Sequence, residues 1–154
     1  MRNKEVITEA RKRGFVTGSK VFGGYDRELS DIDIMVPYDF HYKFDDMLRI
    51  CEGARYLPHS YRDATTTSIY IPLNNKDYNI IIAMDAATFR IWREATKILI
   101  AAVNASDSLK EVVYFDKQTR VDMFKTFRWT LGDLSLRLKA PEPVDQPSED
   151  DIPF

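Results

Sequence analysis

The chain has 154 residues, of which 44% are hydrophobic and 30% charged, a balance typical of one globular domain with a buried core. The net charge of −2 excludes a protein that binds nucleic acid through a uniformly basic surface, although the acidic final segment leaves the rest of the chain more basic. A single cysteine, Cys51, excludes an internal disulfide. Because no apolar run is long enough to span a membrane and no signal peptide precedes the first charged residues, we expect a cytoplasmic protein.

The first third of the sequence predicts two helices and two short strands. Apolar residues at helical spacing predict an amphipathic helix over residues 3–13 that ends at Gly14, and a second helix over 39–54. Between these helices we expect strands at 15–17 and 31–36, joined by a loop or a helical turn.

The stretch over 55–67 looks irregular, and the pattern after it predicts a β-hairpin and two helices. These elements, in chain order, are strands at 68–72 and 78–84 and helices over 88–103 and 116–138, with a break at 104–107. The order of elements predicts an α/β (α+β) fold in which a mixed sheet has its helices on one face.

The last predicted helix leaves two interpretations of its polar side open. An apolar stripe that includes Val121, Phe124 and Leu131 is expected to face the core. The other side presents four cations, which are Lys117, Arg120, Lys125 and Arg137. These side chains form either a solvated helix face or a groove for nucleotide or DNA phosphates.

Two aspartates in the second strand give the clearest chemical signal. Asp31 and Asp33 are two residues apart, so their side chains point to the same face of the strand. Adjacent carboxylates repel each other and resist burial, and a divalent cation resolves that conflict. Upstream, Gly18 and Ser19 follow the first strand in a turn whose backbone N–H groups suit a phosphate. The alternative is an ordinary turn followed by a strand with a solvated polar face.

In this order and spacing, Gly18-Ser19 and Asp31-x-Asp33 resemble the nucleotidyltransferase superfamily that includes DNA polymerase beta and the minimal nucleotidyltransferases. The resemblance covers about the first two-thirds of the chain, and it implies a nucleotidyltransferase-like mixed sheet flanked by helices. It also implies that Asp31 and Asp33 are catalytic and hold Mg²⁺ or Mn²⁺. Gly18 and Ser19 would then bind a nucleoside triphosphate, assisted by Lys20, which the motif does not require.

The third carboxylate of that family falls on a later strand, where this sequence has Asn79. An amide oxygen can bind a metal, but it is uncharged and cannot act as a base. Asp77, two residues earlier on the same face, supplies a carboxylate if the register shifts, and Asp85 is a further candidate. Three functions stay open as a result. They are a nucleotidyltransferase acting at DNA, a catalytically inactive protein that binds or redirects host repair enzymes, and a DNA-nicking or damage-repair enzyme with a partner such as uracil-DNA glycosylase.

The composition changes after a domain that spans 1–139. Residues 140–154 combine prolines with acidic residues, which predicts a disordered tail. The tail ends in a run that resembles the C-terminus of bacterial single-stranded-DNA-binding proteins, namely Asp150, Asp151, Ile152, Pro153 and Phe154. That resemblance implies that the ring and carboxylate of Phe154 dock on host replication and repair enzymes, and we favour a phage protein in a bacterial host cytoplasm. The alternative is an acidic solubilising tail.

Overall fold

The computed structural model describes residues 2–28, 30–58 and 65–139, with the side chains at 41–44, 58 and 133–139 outside that description. The strands of this part of the chain are β1 (Phe15–Thr17), β2 (Ile32–Val36), β3 (Arg55–Pro58), β4 (Thr66–Leu73) and β5 (Lys76–Ala83). The α-helices are α1 (Arg2–Arg13), α2 (Ser19–Phe22), α3 (Phe44–Ile50), α4 (Ala86–Ala105), α5 (Asp107–Phe115) and α6 (Lys117–Lys139), and a 3₁₀-helix over Tyr38–Lys43 precedes α3. The predicted tail, residues 140–154, lies outside the described residues.

The sheet has the strand order β1-β2-β5-β4-β3, which confirms the predicted mixed α/β (α+β) architecture. Strands β2 and β5 are parallel, and the other neighbouring pairs are antiparallel. In this register Asp33 on β2 lies between Thr17 on β1 and Asn79 on β5. The sheet therefore sets the predicted acidic residue directly beside the predicted third position.

Helices pack on both faces of the sheet, which corrects the expectation that they would cover one face. On one face Ile34 and Ile80 pack in a core cluster with Ala10 of α1 and Met47 of α3. The other face buries a second cluster, which includes Met35, Ile81, Trp92, Leu99 and Phe124. Side chains alternate between the two faces along a strand, and β2 after Asp33 and β5 after Asn79 are apolar on both faces. The acidic residues lie where that apolar stretch begins.

The predicted hairpin is confirmed, with a tight turn between β4 and β5. Asn74 and Asn75 adopt left-handed backbone conformations, with φ values of 53° and 62°, as a two-residue type I′ turn requires. Pro72 does not end β4 as expected, since the strand continues to Leu73. The pairing of β3 with β4 reaches only as far as Tyr70. The N–H that Pro72 lacks therefore removes no hydrogen bond to β3.

Two other element predictions are wrong, and one helix was not predicted. The stretch predicted to be irregular contains β3, an edge strand. Its neighbouring residues Tyr56 and Leu57 are both exposed, so β3 lacks the alternation of apolar and polar residues that predicts a strand. The predicted helix over 39–54 is a 3₁₀-helix followed by the shorter α3. The predicted break at 104–107 is confirmed at Ser106, whose side chain caps α5, the helix that was not predicted. Within the described residues, no helix is both long and apolar enough to cross a membrane.

Candidate functional site

A cleft with a volume of about 570 Å³ opens on the face of the sheet that α4, α5 and α6 cover. Residues from the turn after β1 and from the start of β2 line it, and so do residues of α6. The predicted site residues that line the cleft are Gly18, Ser19, Asp31, Asp33 and Asn79. The fold thus brings the Gly-Ser turn, the acidic pair and the third position together in one cavity.

Asp33 is the most deeply enclosed carboxylate of the cleft. The side-chain amide of Asn79 donates a hydrogen bond from Nδ2 to Asp33 Oδ1 over 2.9 Å. Burial raises the pKa of Asp33 to about 6, and the charge of Asp31 adds to the rise, while the Asn79 hydrogen bond opposes it. The pKa of Asp31 is also raised, first by burial and then by repulsion from Asp77. The two carboxylates therefore favour binding of a proton or a cation.

Gly18 joins the turn after β1 to the acidic pair. Its φ of 74° is in the left-handed region, and a Cβ atom at this position would lie 2.1 Å from Asp33 Oδ2. The carbonyl oxygen of Gly18 accepts hydrogen bonds from the N–H groups of Val21 and Phe22, the last two residues of the four-residue helix α2. Only glycine satisfies both the conformation and the contact, and Ser19 follows it directly into the cleft.

Lys20 and Asp77, two other predicted residues, lie outside the cleft. Lys20 places its Nζ atom 4.3 Å from the ring centroid of Tyr25 and does not line the cleft. Asp77 accepts a hydrogen bond from Arg55 Nη2 over 2.8 Å, outside the cleft but close enough to affect Asp31. Their catalytic and nucleotide-binding roles stay predictions.

Asp85, the further candidate for the third carboxylate, is the N-cap of α4. Its side chain accepts a hydrogen bond from the N–H of Thr88 over 2.7 Å, and this bond lowers the pKa of the carboxyl group. The cap accounts for an acidic residue at this position of the sequence.

The cationic side of α6 is partly a cleft wall and partly surface. Lys117 and Arg120 line the cleft, and their binding of phosphates stays a prediction. The guanidinium of Arg120 donates from Nη1 to the carbonyl oxygens of Gly23 and Val113, over 3.0 and 3.1 Å. Burial lowers the pKa of Arg120, and the charge of Asp33 opposes that effect. Lys125 instead lies over the ring of Trp129 at 4.4 Å, and the Arg137 side chain lies outside the described residues.

Sequence reasoning missed Arg128, a buried cation in the same cleft. Its guanidinium lies 4.4 Å from the ring centroid of Trp92 and 5.1 Å from that of Phe124. The only signal in the sequence was the spacing of eight residues from Arg120, which puts both cations near one face of a helix. Acidic residues at and directly before the start of β2 and cations of α6 thus border one cavity.

The acidic pair suits a hard divalent cation. Within residues 2–28, 30–58 and 65–139, no group of three or more His, Cys, Asp or Glu side chains is placed to hold a metal. Mg²⁺ is commonly bound by one or two carboxylates and completes its shell with water and substrate phosphates. Asp31 and Asp33 fit that donor set, whereas Asn79 presents an N–H to Asp33 and adds no charge.

The resemblance to nucleotidyltransferases stays a prediction from the sequence, and the residues that carry it lie in this cleft. The Gly-Ser turn, Asp31 and Asp33 follow the order of that superfamily, and Asn79 departs from it. Compared with protein-family models, curated proteins and solved structures, the chain gives no match.

Proposed function

We propose that this protein is a metal-dependent nucleotidyltransferase that binds a nucleoside triphosphate in the cleft and acts at DNA. The observation that supports the proposal best is the contact between Gly18 and Asp33, where a Cβ atom would lie 2.1 Å from the carboxylate. A turn suited to phosphate is packed against a carboxylate suited to Mg²⁺. Nucleotidyl transfer needs these two groups side by side.

Each group of the cleft has a role in this proposal. Asp31 and Asp33 would hold Mg²⁺ or Mn²⁺, which when bound neutralises phosphate charge and aligns the reacting oxygens. The hydroxyl of Ser19 donates a hydrogen bond to a phosphate oxygen. Lys117 and Arg120 bind the negative charge of the phosphate chain, and the two hydrogen bonds of Arg120 hold it in place before substrate arrives.

One observation favours a second function, nucleotide binding without turnover in an interaction protein. Asn79 occupies the position where the superfamily has its third carboxylate, and its amide hydrogen-bonds to Asp33. An amide cannot accept a proton from an attacking hydroxyl at neutral pH. Under this alternative the cleft binds metal and nucleotide but releases no pyrophosphate.

Calorimetric titration with Mn²⁺ tests the metal site, and a pyrophosphate-release assay then separates the two functions. We expect wild-type protein and Asp45→Ala, a control at an exposed carboxylate on α3, to bind Mn²⁺ equally. Asp31→Ala and Asp33→Ala should weaken that binding, because each removes one of the two charged oxygen donors. Equal binding by all four proteins would refute the metal site. Binding without release of pyrophosphate would establish the second function.

We also propose that the final segment recruits the protein to host DNA-maintenance enzymes. The segment from Asp150 to Phe154 combines two carboxylates, a proline and a terminal aromatic ring. A ring of this kind fits an apolar pocket, and the acidic residues before it fit a basic rim. Proline fixes φ and so reduces the entropy that the tail loses on binding.

A competition assay tests the tail. The probe is a fluorescent peptide with the tail sequence of a bacterial single-stranded-DNA-binding protein, bound to exonuclease I or to uracil-DNA glycosylase. The full chain should displace the peptide, and deletion of Phe154 should weaken displacement by about 2 kcal/mol or more. Gln146→Ala, a control upstream of the motif, should compete like wild type. Recruitment through the tail is refuted if the full chain displaces nothing or if the deletion has no effect.

A further inference from the structure

Two exposed aromatic rings line the cleft. Tyr114 is 56% exposed and Phe115 is 76% exposed, and both line the cavity. The rings meet edge to face, with centroids 4.8 Å apart and an angle of 79° between their planes. Val121, also exposed, lines the same cavity. Exposed apolar side chains beside a polar cleft are typical of a binding site for a ligand with an apolar face.

Hydrogen bonds and close packing fix the backbone of the α5–α6 junction that carries these rings. The N–H of Asp116 donates to the carbonyl oxygen of Val112 over 2.9 Å, and the Asp116 side chain caps α6 through Thr119. Arg120 bonds to the carbonyl oxygen of Val113, directly before the rings. Gly24 packs so closely that a Cβ atom there would lie 2.9 Å from the Tyr114 carbonyl oxygen. The rings therefore project from a pre-organised junction, which reduces the entropy lost on binding.

Cations accompany the rings on the same side of the cleft. Lys117 follows Phe115 by two residues, and Arg120 lies one turn further along α6. Exposed aromatic rings beside a row of cations are the arrangement by which proteins bind unpaired nucleotides, because every base has an apolar face and every phosphate a negative charge.

We propose that Tyr114 and Phe115 form a stacking platform for an unpaired nucleobase, whose phosphate lies on Lys117 and Arg120. The proposal rests on the proposed function for the nucleotide nature of the ligand, and it adds a subsite from α5 and α6 that the Gly-Ser and acidic motifs do not include. The base belongs either to a free mononucleotide or to the end of a single strand. Both sources present the same chemistry, a flat ring followed by a phosphate.

Binding measured in EDTA tests this platform apart from any metal-dependent reaction. The probes are a fluorescein-labelled oligothymidylate of about 12 nucleotides and a fluorescent analogue of ATP. We expect Phe115→Ala and Tyr114→Ala to weaken binding of the preferred probe about tenfold. Trp129→Ala is the matched control, because this ring is 62% exposed on α6 but does not line the cleft. For the oligonucleotide, the logarithm of the affinity falls as the logarithm of the salt concentration rises, and Lys117→Met should make this slope less steep by about 0.7.

The outcomes separate the two sources and the two proposals. Tighter binding of the oligonucleotide assigns the platform to a strand end, and tighter binding of the ATP analogue assigns it to a mononucleotide. The platform is overturned if neither probe binds, or if Phe115→Ala binds like wild type while its unfolding midpoint is unchanged, and the rings would then serve a protein partner. EDTA removes the metal that transfer requires, so failure of metal-dependent transfer leaves this test intact.

Discussion

Replacement of Asp33 by asparagine should stabilise the metal-free protein at neutral pH. The change keeps the size of the side chain and leaves an oxygen that can accept the hydrogen bond from Asn79. It removes a charge that burial and Asp31 disfavour, as the raised pKa of about 6 shows. We therefore expect Asp33→Asn to unfold at a higher urea concentration than wild type.

The magnitude follows from the shift of the pKa. The carboxyl group of Asp33 ionises near 6 in the folded protein and near 3.8 in the unfolded chain. Between these values the folded state binds more protons than the unfolded state, so the free energy of unfolding falls as pH rises through this window. At about 1.4 kcal/mol for each pH unit, the ionised Asp33 costs the folded protein about 3 kcal/mol above pH 6.

Urea unfolding followed by tryptophan fluorescence measures this cost. Asp33→Asn should exceed wild type by up to about 3 kcal/mol near pH 7.5 and by little near pH 4, where the folded wild type is protonated. Mg²⁺ added near pH 7.5 should stabilise wild type but not the variant. Glu111→Gln, at an exposed carboxylate of α5, is the control and should change stability little at either pH. An equal gain at both pH values, or none at pH 7.5, would refute the idea that the ionised carboxylate is costly.

Further predictions concern the turn, a cap and the third position. Gly18→Ala should lower the free energy of unfolding by about 1–3 kcal/mol, because the φ of Gly18 is 74° and a Cβ atom there would clash with Asp33. Gly132→Ala in α6, where a Cβ atom has room, is the control and should be neutral or stabilising. Asp85→Ala removes the N-cap of α4 and should cost about 1 kcal/mol in the same urea assay. Asn79→Asp should lower metal-free stability near pH 7.5 and tighten Mn²⁺ binding, and an unchanged calorimetric affinity would contradict its assignment to the third position.

The acidic side of the cleft was predictable because its signals are local in the sequence. Two aspartates two residues apart in an apolar strand must share a face, and Gly18 before a polar turn indicates an unusual backbone conformation. The hairpin was equally local, with Asn74 and Asn75 between two strand-like runs. Each of these predictions depends on neighbours within a few residues.

The other side of the cleft could not be derived in the same way. Arg128 and Phe115 border the cavity only because α5 and α6 pack beside the turn after β1, and no short-range pattern specifies that packing. The edge strand β3 escaped prediction because a strand with one neighbour and an exposed face lacks regular alternation. Helix α5 had a usable signal, since Ser106 before Asp107 is a typical cap, but the polar run was interpreted as a break.

The hydrogen bond from Arg120 to the carbonyl oxygen of Gly23 spans 97 residues of sequence. Closing so long a loop is entropically costly and slow compared with forming the hairpin or a helix. During synthesis the carboxylates and the Gly-Ser turn leave the ribosome well before α6, so a chain that has emerged only as far as β5 has the acidic half of the cleft without its cations. Under the proposed function, nucleotide affinity should therefore appear late in folding, and a nascent or truncated chain should not compete with the finished protein for a nucleotide.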